Sequence, residues 1–220
     1  MKLVIFDCDG TLVDSQHGIV ASMSRALENE GLEPMPREKI LSIVGLSLPL
    51  AVEQLLQTAE PAQVERVTDG YRQAFTELRQ DRTLVEPLYD GMKDLVHALH
   101  GQNDVLLGVA TGKSIRGVNR LFDEHDWHAK FVTMQTADTN PSKPHPGMIE
   151  TAMAEAGVDV QDTVMVGDTT FDLEMASNAG VHGLGVAWGY HPVDALHRAG
   201  AHSVADDCPA LTKFIDEFLG

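Results

Sequence analysis

Short apolar runs alternate with segments of helical spacing along most of this 220-residue chain, and that alternation restricts the fold more than any other feature. The runs are Leu3–Phe6, Val105–Ala110, Phe131–Thr133, Thr163–Val166 and Gly183–Ala187. Most are too short for helices and are rich in β-branched residues, as buried parallel strands are. Between them, Met92–Leu99, Ile115–His125, Gly147–Ala156, Asp172–Ala179 and Pro209–Leu219 carry apolar residues at helical spacing. The alternation predicts an α/β fold, a doubly wound parallel sheet with helices on its faces.

One stretch departs from this pattern. From about Ser15 to Leu84 no strand signal appears. Ile19, Met23, Ala26 and Leu27 recur at helical spacing, as do Ile40, Ile43 and Val44, then Val52, Leu55 and Leu56, and a longer helix is expected over Pro61–Arg79. A run of about 70 residues is too long for one crossover, so an inserted α-helical cap is predicted over 15–85, with 1–14 and 86–220 forming the core. The alternative is that these helices simply pack on the sheet. Glu86-Pro87 marks the exit from the insert, where proline stiffens a plausible hinge.

At 43% hydrophobic residues the chain can bury a core without staples. Cys8 and Cys208 follow no zinc-ligand spacing and are too few for a disulfide framework, so a reducing compartment is expected. No apolar stretch is long enough to span a bilayer, and Met1–Asp9 lacks the features of a secretory signal. The expectation is a cytoplasmic protein with no membrane partner, monomer or homodimer. A formal net charge of −17 disfavours a nucleic-acid partner. A small anionic substrate then requires local positive charge from a metal ion, a few lysines or helix N-termini.

Four stretches carry chemistry. In Phe6-Asp7-Cys8-Asp9-Gly10-Thr11-Leu12-Val13-Asp14-Ser15, Asp7 and Asp9 stand two apart at the end of a strand, which puts both carboxylates on one side. Two such carboxylates resist joint ionisation unless a cation sits between them or one holds a proton. Gly10 permits a sharp turn, and Cys8 points the other way into packing. The bare alternative is a pair of strand-end aspartates capping a turn. In Val109-Ala110-Thr111-Gly112-Lys113-Ser114, the Thr111 hydroxyl and the free N–H groups at the following helix can hold phosphate oxygens, or Thr111 only caps that helix. A nucleotide P-loop fails here, because Gly108 and Gly112 are four apart where five are needed. In Pro141-Ser142-Lys143-Pro144-His145-Pro146, proline-stiffened backbone places Lys143, which is otherwise an ordinary surface lysine, and His145 receives no chemical role. In Val166-Gly167-Asp168-Thr169-Thr170-Phe171-Asp172, Asp168 ends a strand and Asp172 opens a helix, where a carboxylate also suits a cap. With Asp7 and Asp9 these make an oxygen-rich cluster suited to Mg²⁺.

Taken in order, these stretches resemble the haloacid dehalogenase (HAD) superfamily of phosphotransferases, and the resemblance covers essentially the whole chain. The helical insert after the first strand looks like the small cap of the phosphoglycolate-phosphatase-like branch. The resemblance implies a Rossmann-like core and a Mg²⁺-dependent phosphatase acting on a small phosphorylated metabolite, phosphoglycolate among the candidates. Asp7 matches the nucleophile that forms an aspartyl-phosphate, and Asp9 the general acid and base. Thr111 matches the phosphate-binding hydroxyl and Lys143 the lysine steadying nucleophile and phosphate. Asp168 matches a magnesium ligand beside the Asp7 side chain and the Asp9 backbone carbonyl, and Asp172 supports that site directly or through water. Gly45, in Val44-Gly45-Leu46, resembles the cap loop that approaches the substrate. Gly10, Thr111, Gly112 and Lys113 complete the expected substrate-binding set. Many relatives carry Asn after the Thr, where this chain has Gly-Lys, so Lys113 either contacts substrate or faces solvent. Arg72, Arg79 and Arg82 are candidates for a second anionic group, or are helix surface.

A sugar phosphomutase resembling β-phosphoglucomutase would use the same four motifs. A dehalogenase needs no metal and would leave Asp9 and the Asp168 cluster without a purpose. A phospho-accepting signalling domain shares the acidic pocket, the Thr and the Lys, yet is much shorter and lacks the insert.

Overall fold

The computed structural model describes residues 1–58, 60–80 and 85–220. Strand β1 (Lys2–Phe6) is followed by four helices, α1 (Gln16–Asn29), α2 (Arg37–Leu41), α3 (Leu48–Leu56) and α4 (Pro61–Gln80). Helix α5 (Met92–His100) then leads into β2 (Val105–Thr111), α6 (Ile115–His125), β3 (Phe131–Thr136) and α7 (Gly147–Ala156). The chain ends with β4 (Thr163–Gly167), α8 (Thr170–Ala179), β5 (His182–Val186), α9 (Val193–Arg198), β6 (Ser203–Ala205) and α10 (Cys208–Leu219). The six strands form one parallel sheet in the order β3-β2-β1-β4-β5-β6. The winding direction reverses between β1 and β4, and a crevice opens beyond the carboxyl ends of strands at such a point.

Alternation along β1 divides the core. Val4 and Phe6 pack with Leu95 and Val96 of α5 and with Leu211 and Ile215 of α10. Leu3 and Ile5 face the opposite side, against Ile149 and Ala152 of α7 and Met175 of α8. Every residue from Leu3 to Phe6 is buried, as expected of a central strand covered on both faces.

Helices α1–α4 gather around an apolar cluster of their own. Ile19, Met23, Ala26 and Leu27 line one stripe of α1 and meet Ile40, Val52, Leu55 and Val67 from the other three helices. Pro61 opens α4, where its missing N–H costs nothing. No helix among the described residues is long and apolar enough to cross a membrane.

The strands differ from expectation at the sheet's margins. β3 continues to Thr136 because its polar side chains are satisfied internally: Thr133 Oγ1 and Gln135 Nε2 both donate to Glu155 Oε2, at 2.6 and 2.8 Å. β6 has three residues and α9 six, too few for either to show a period.

Candidate active site

The turns that follow β1, β2 and β4 converge on one buried acidic centre. Asp7 is the first residue after β1, and its N–H still donates to Val166 of β4, at 2.9 Å. Asp168 follows β4, and Asp172 sits in the first turn of α8. The carboxylates of Asp7, Asp168 and Asp172 are all buried and offer oxygens within 4.8 Å of one another. Lys143, from the β3–α7 connection, is 0% exposed and enters the same centre, with Nζ 2.6 Å from Asp172 Oδ1 and 3.0 Å from Asp7 Oδ1.

Five of the six carboxylate oxygens have protein partners. Asp168 Oδ1 accepts from Thr11 Oγ1 and Oδ2 from the Tyr190 N–H, each at 2.9 Å. Asp172 Oδ1 is held by Lys143, and Oδ2 accepts from the Thr169 N–H and hydroxyl at 3.0 and 2.7 Å. Asp7 Oδ1 accepts from the Cys8 N–H at 2.7 Å. Asp7 Oδ2 is buried and has no hydrogen-bond partner among the described residues. A buried carboxylate oxygen left in this way is costly unless something else binds it.

Burial pushes the Asp7 carboxyl up to about 6; Lys143 and the Thr111 hydroxyl pull against that, while Asp172 and Asp9 add to it. Asp168 is raised well above the ordinary carboxylate value by burial and then by Asp172 and Asp7. Burial works against the Lys143 ammonium, but Asp172 and Asp7 outweigh it and hold the lysine above its ordinary value. One ammonium therefore faces three carboxylates, and the centre has room electrostatically for a cation. The donor set is all oxygen, as Mg²⁺ and similar hard cations require, and the orphaned Asp7 Oδ2 gives such an ion a ligand not already engaged.

Asp9 belongs to a second network. Lys113 Nζ donates to Asp9 Oδ1 at 2.7 Å and to Glu86 Oε1 at 3.0 Å, and Arg79 Nη1 at the end of α4 donates to Glu86 Oε2 at 2.8 Å. The Lys113 side chain is 11% exposed, so it does not face solvent. Burial opposes its charge, yet Asp9 and Glu86 together hold it above the ordinary lysine value. Replacing it with methionine leaves the largely buried Asp9 carboxylate without its cation and Glu86 with Arg79 alone. Lys113→Met is expected to cost about 2 kcal/mol of stability, below the range for a fully buried pair because water reaches this one. Much of that loss should be absent when Glu86→Gln is already present, a non-additivity that urea melts of the single and double variants measure. Strictly additive losses would mean that the three groups do not act together.

Between this centre and the α1–α4 bundle lies a cavity of about 570 Å³, lined by Asp7, Asp9, Thr111 and Lys113 on one side and by α1, α4 and the loop around Gly45 on the other. That loop rests directly on the turn after β2. A Cβ on Gly112 would stand 2.6 Å from the carbonyl oxygens of both Gly45 and Leu46, so only glycine fits. Gly45 itself holds φ +104, and the Ser47 N–H donates to Ser142 Oγ at 2.8 Å, next to Lys143. Gly10, at φ +86, has the same need: a Cβ there would stand 2.2 Å from Asp168 Oδ2. Across the molecule, His191 Nδ1 accepts from the Thr170 N–H, which leaves Nε2–H to donate to the Ser42 carbonyl at 3.1 Å.

The family model for haloacid dehalogenase-like hydrolases matches residues 4–186. The chain belongs to this family. Among its relatives, the "Probable phosphatase IndB" of Dickeya dadantii (strain 3937) is 38% identical over 208 residues, covering 93% of this chain and 89% of that protein. A phosphoglycolate phosphatase of Agrobacterium fabrum is 30% identical over 219 residues, covering 99% and 93%. A hydrolase from Pseudomonas syringae superposes with a TM-score of 0.82 at 26% identity, over 99% of both chains.

Within this HAD hydrolase, Asp7, Asp9, Gly10, Gly45, Thr111, Gly112, Lys113, Lys143, Asp168 and Asp172 all gather about the acidic centre or the cavity beside it. Several residues serve differently from the simplest reading of the sequence. Ser114, not Thr111, caps α6, accepting from the Gly117 N–H. Asp172 does cap α8, in a reciprocal pair with Thr169, and holds Lys143 as well. Lys143 is no surface lysine. Cys8 is buried and its thiol is pushed up by burial, which suits packing and not attack. His145 accepts from the Gly147 N–H and plays a structural part. Arg79 is committed to Glu86, Arg72 pairs with Asp69 on the surface of α4 and also lines the cavity, and Arg82 lies outside the described residues. Glu86, Thr11, Tyr190 and Thr169 carry no signal of their own in the sequence. Arg116 and Arg120, both in the cavity wall, do: they stand four apart on the helix after Thr111.

Proposed function

We propose that this chain is a Mg²⁺-dependent phosphatase that hydrolyses a small phosphorylated metabolite through an aspartyl-phosphate on Asp7. The observation that carries this reading is Asp7 Oδ2, a buried carboxylate oxygen without a protein partner, in a residue that lines the cavity. Asp7 and Asp168 would hold the ion, as the family resemblance implies, with Asp172 tied to Lys143 and Thr169 beside them. Once bound, Mg²⁺ supplies positive charge that offsets repulsion between a carboxylate and a phosphate dianion.

The chain's own groups do the rest. Lys143 orients the Asp7 carboxylate through Oδ1, so the side chain presents a fixed face to phosphorus. The Thr111 hydroxyl oxygen accepts from the Lys113 N–H at 3.2 Å, which turns its proton toward Asp7 and an incoming phosphoryl oxygen. Asp9 gives a proton to the leaving alcohol oxygen as its bond to phosphorus breaks. It then takes one from the water that attacks the phosphoenzyme, releasing phosphate and regenerating Asp7. Lys113 fixes the Asp9 carboxylate for both steps. Helices α1–α4, residues 15–85 in all, act as the cap, and their loop at Gly45 excludes water from the centre.

Phosphate release across a panel of phosphorylated metabolites tests this. Release is expected with Mg²⁺ and is expected to cease in excess chelator. Undiminished release in chelator, or none from any ester, overturns the reading. β-Glucose 1-phosphate belongs in the panel, because conversion to glucose 6-phosphate would mark a mutase instead.

A further inference from the structure

The cavity has two kinds of wall, and neither suits a two-carbon ester. Its volume of about 570 Å³ falls within the range that holds drug-sized ligands. From the α1–α4 side it is lined by Ile19, Met23, Leu46, Tyr71 and Phe75, an apolar surface in which the Tyr71 and Phe75 rings stack at 5.9 Å. From the sheet side, α6 contributes Arg116 and Arg120. These lie five and nine positions beyond Thr111, so they extend along the wall away from the phosphoryl-binding turn.

In a chain of net charge −17, basic side chains are outnumbered by acidic ones, 16 to 33. Among the described residues neither Arg116 nor Arg120 forms an ion pair, whereas Arg25, Arg66, Arg72 and Arg79 all do. Burial lowers the Arg120 guanidinium below its ordinary value and the neighbouring charges of Arg79 and Arg116 lower it further, while Glu86 pulls the other way. The acidic groups in the lining are already engaged. Asp138 Oδ2 accepts from the Ile115 N–H at 2.8 Å, Asp9 holds Lys113, and Asp7 holds Lys143. Like charges beside an apolar wall, where the carboxylate nearest in effect, Glu86, is already shared by Lys113 and Arg79, form a site for an anion.

Resting on the phosphatase reading, we propose that this cavity selects phosphate monoesters whose leaving group carries an apolar, ring-sized body and a second negative charge. The body lies against Tyr71 and Phe75, and the second charge meets Arg116 and Arg120, with Arg72 approaching from α4.

Three esters test this with Mg²⁺ at low salt: 4-carboxyphenyl phosphate, 4-carbamoylphenyl phosphate and phosphoglycolate. The two aryl esters match in shape and differ by one charge, so their ratio of kcat/KM reads the second anion site alone. The wild type is expected to favour the carboxylate by about tenfold, a preference that falls as salt is added. That ratio is expected to drop to about two or less in Arg116→Gln/Arg120→Gln. Arg198→Gln, an equal charge change per residue on α9 and outside the cavity lining, should keep the ratio. Both aryl esters are expected to surpass phosphoglycolate. Equal wild-type efficiency on the two aryl esters, a ratio untouched by the double variant, or phosphoglycolate as the best of the three would each overturn the inference while leaving a phosphatase. Silence on all three esters and on the metabolite panel would remove the phosphatase reading itself, and this inference with it.

Discussion

Asp7→Asn is expected to reduce turnover by about 10⁴-fold or more, with the chain still folded. The amide keeps the shape of the carboxylate, and its oxygen can still accept from the Cys8 N–H. It cannot form an acyl phosphate, and no other buried group at the centre can replace it: Asp168 and Asp172 have both oxygens engaged, and the Cys8 thiol is held protonated by burial. The variant should also be the more stable protein once metal is removed and pH is raised. Burial raises the Asp7 carboxyl to about 6, against about 3.9 in an unfolded chain. A group that holds its proton more tightly when folded makes the fold less stable as pH rises through that window. The wild type in chelator therefore loses stability from about pH 4 to about pH 6, and Asp7→Asn escapes that part of the loss. The two melting temperatures should coincide near pH 4 and separate above pH 6 in favour of the variant, by a few degrees. Near-normal turnover in Asp7→Asn would end the nucleophile assignment. A lower melting temperature at pH 7.5 in chelator would mean that the ionised carboxylate stabilises the metal-free fold.

The residues that determine this site differ in how openly the sequence displays them. Asp7, Thr111 and Asp168 each close or follow an apolar strand, so one-dimensional pattern places them on one edge of the sheet. Lys143 is confined by flanking prolines, and its position before a helix is legible for the same reason. The fate of Lys113 is not. Its charge is satisfied by Asp9, 104 positions away, and by Glu86, 27 positions away, and no local signal announces either. The same limit applies to β3. Its apolar run ends at Thr133 in the sequence, and the strand goes on to Thr136 with Glu155, on α7, taking up Thr133 and Gln135. Local periodicity records which face of an element is buried; it carries nothing about a polar partner contributed by a distant one.

Lys143→Met should be the most destabilising single replacement at the acidic centre near neutral pH. Methionine fills most of the same volume, so the loss isolates the charge. Without the ammonium, Asp7, Asp168 and Asp172 face one another with no protein cation, and their oxygens remain within 4.8 Å. Breaking a buried ion pair from one side costs about 3–5 kcal/mol, because the abandoned charge stays desolvated. Two conditions should recover part of it. Lowering the pH should help, since carboxyls already raised by burial rise further when their counter-ion is gone, and protonation then removes the repulsion. Adding Mg²⁺ at neutral pH should help as well, because the ion brings positive charge to the same oxygens. Turnover should stay depressed by about 10²–10³-fold even when Mg²⁺ has restored the fold, since the Asp7 carboxylate then keeps the Cys8 N–H without Lys143 and is no longer held in line for attack. That separation distinguishes a lysine that positions the nucleophile from one that only neutralises charge. Melting curves and initial rates taken on the same Mg²⁺-loaded samples resolve it, and full recovery of both together would leave Lys143 with charge balance alone.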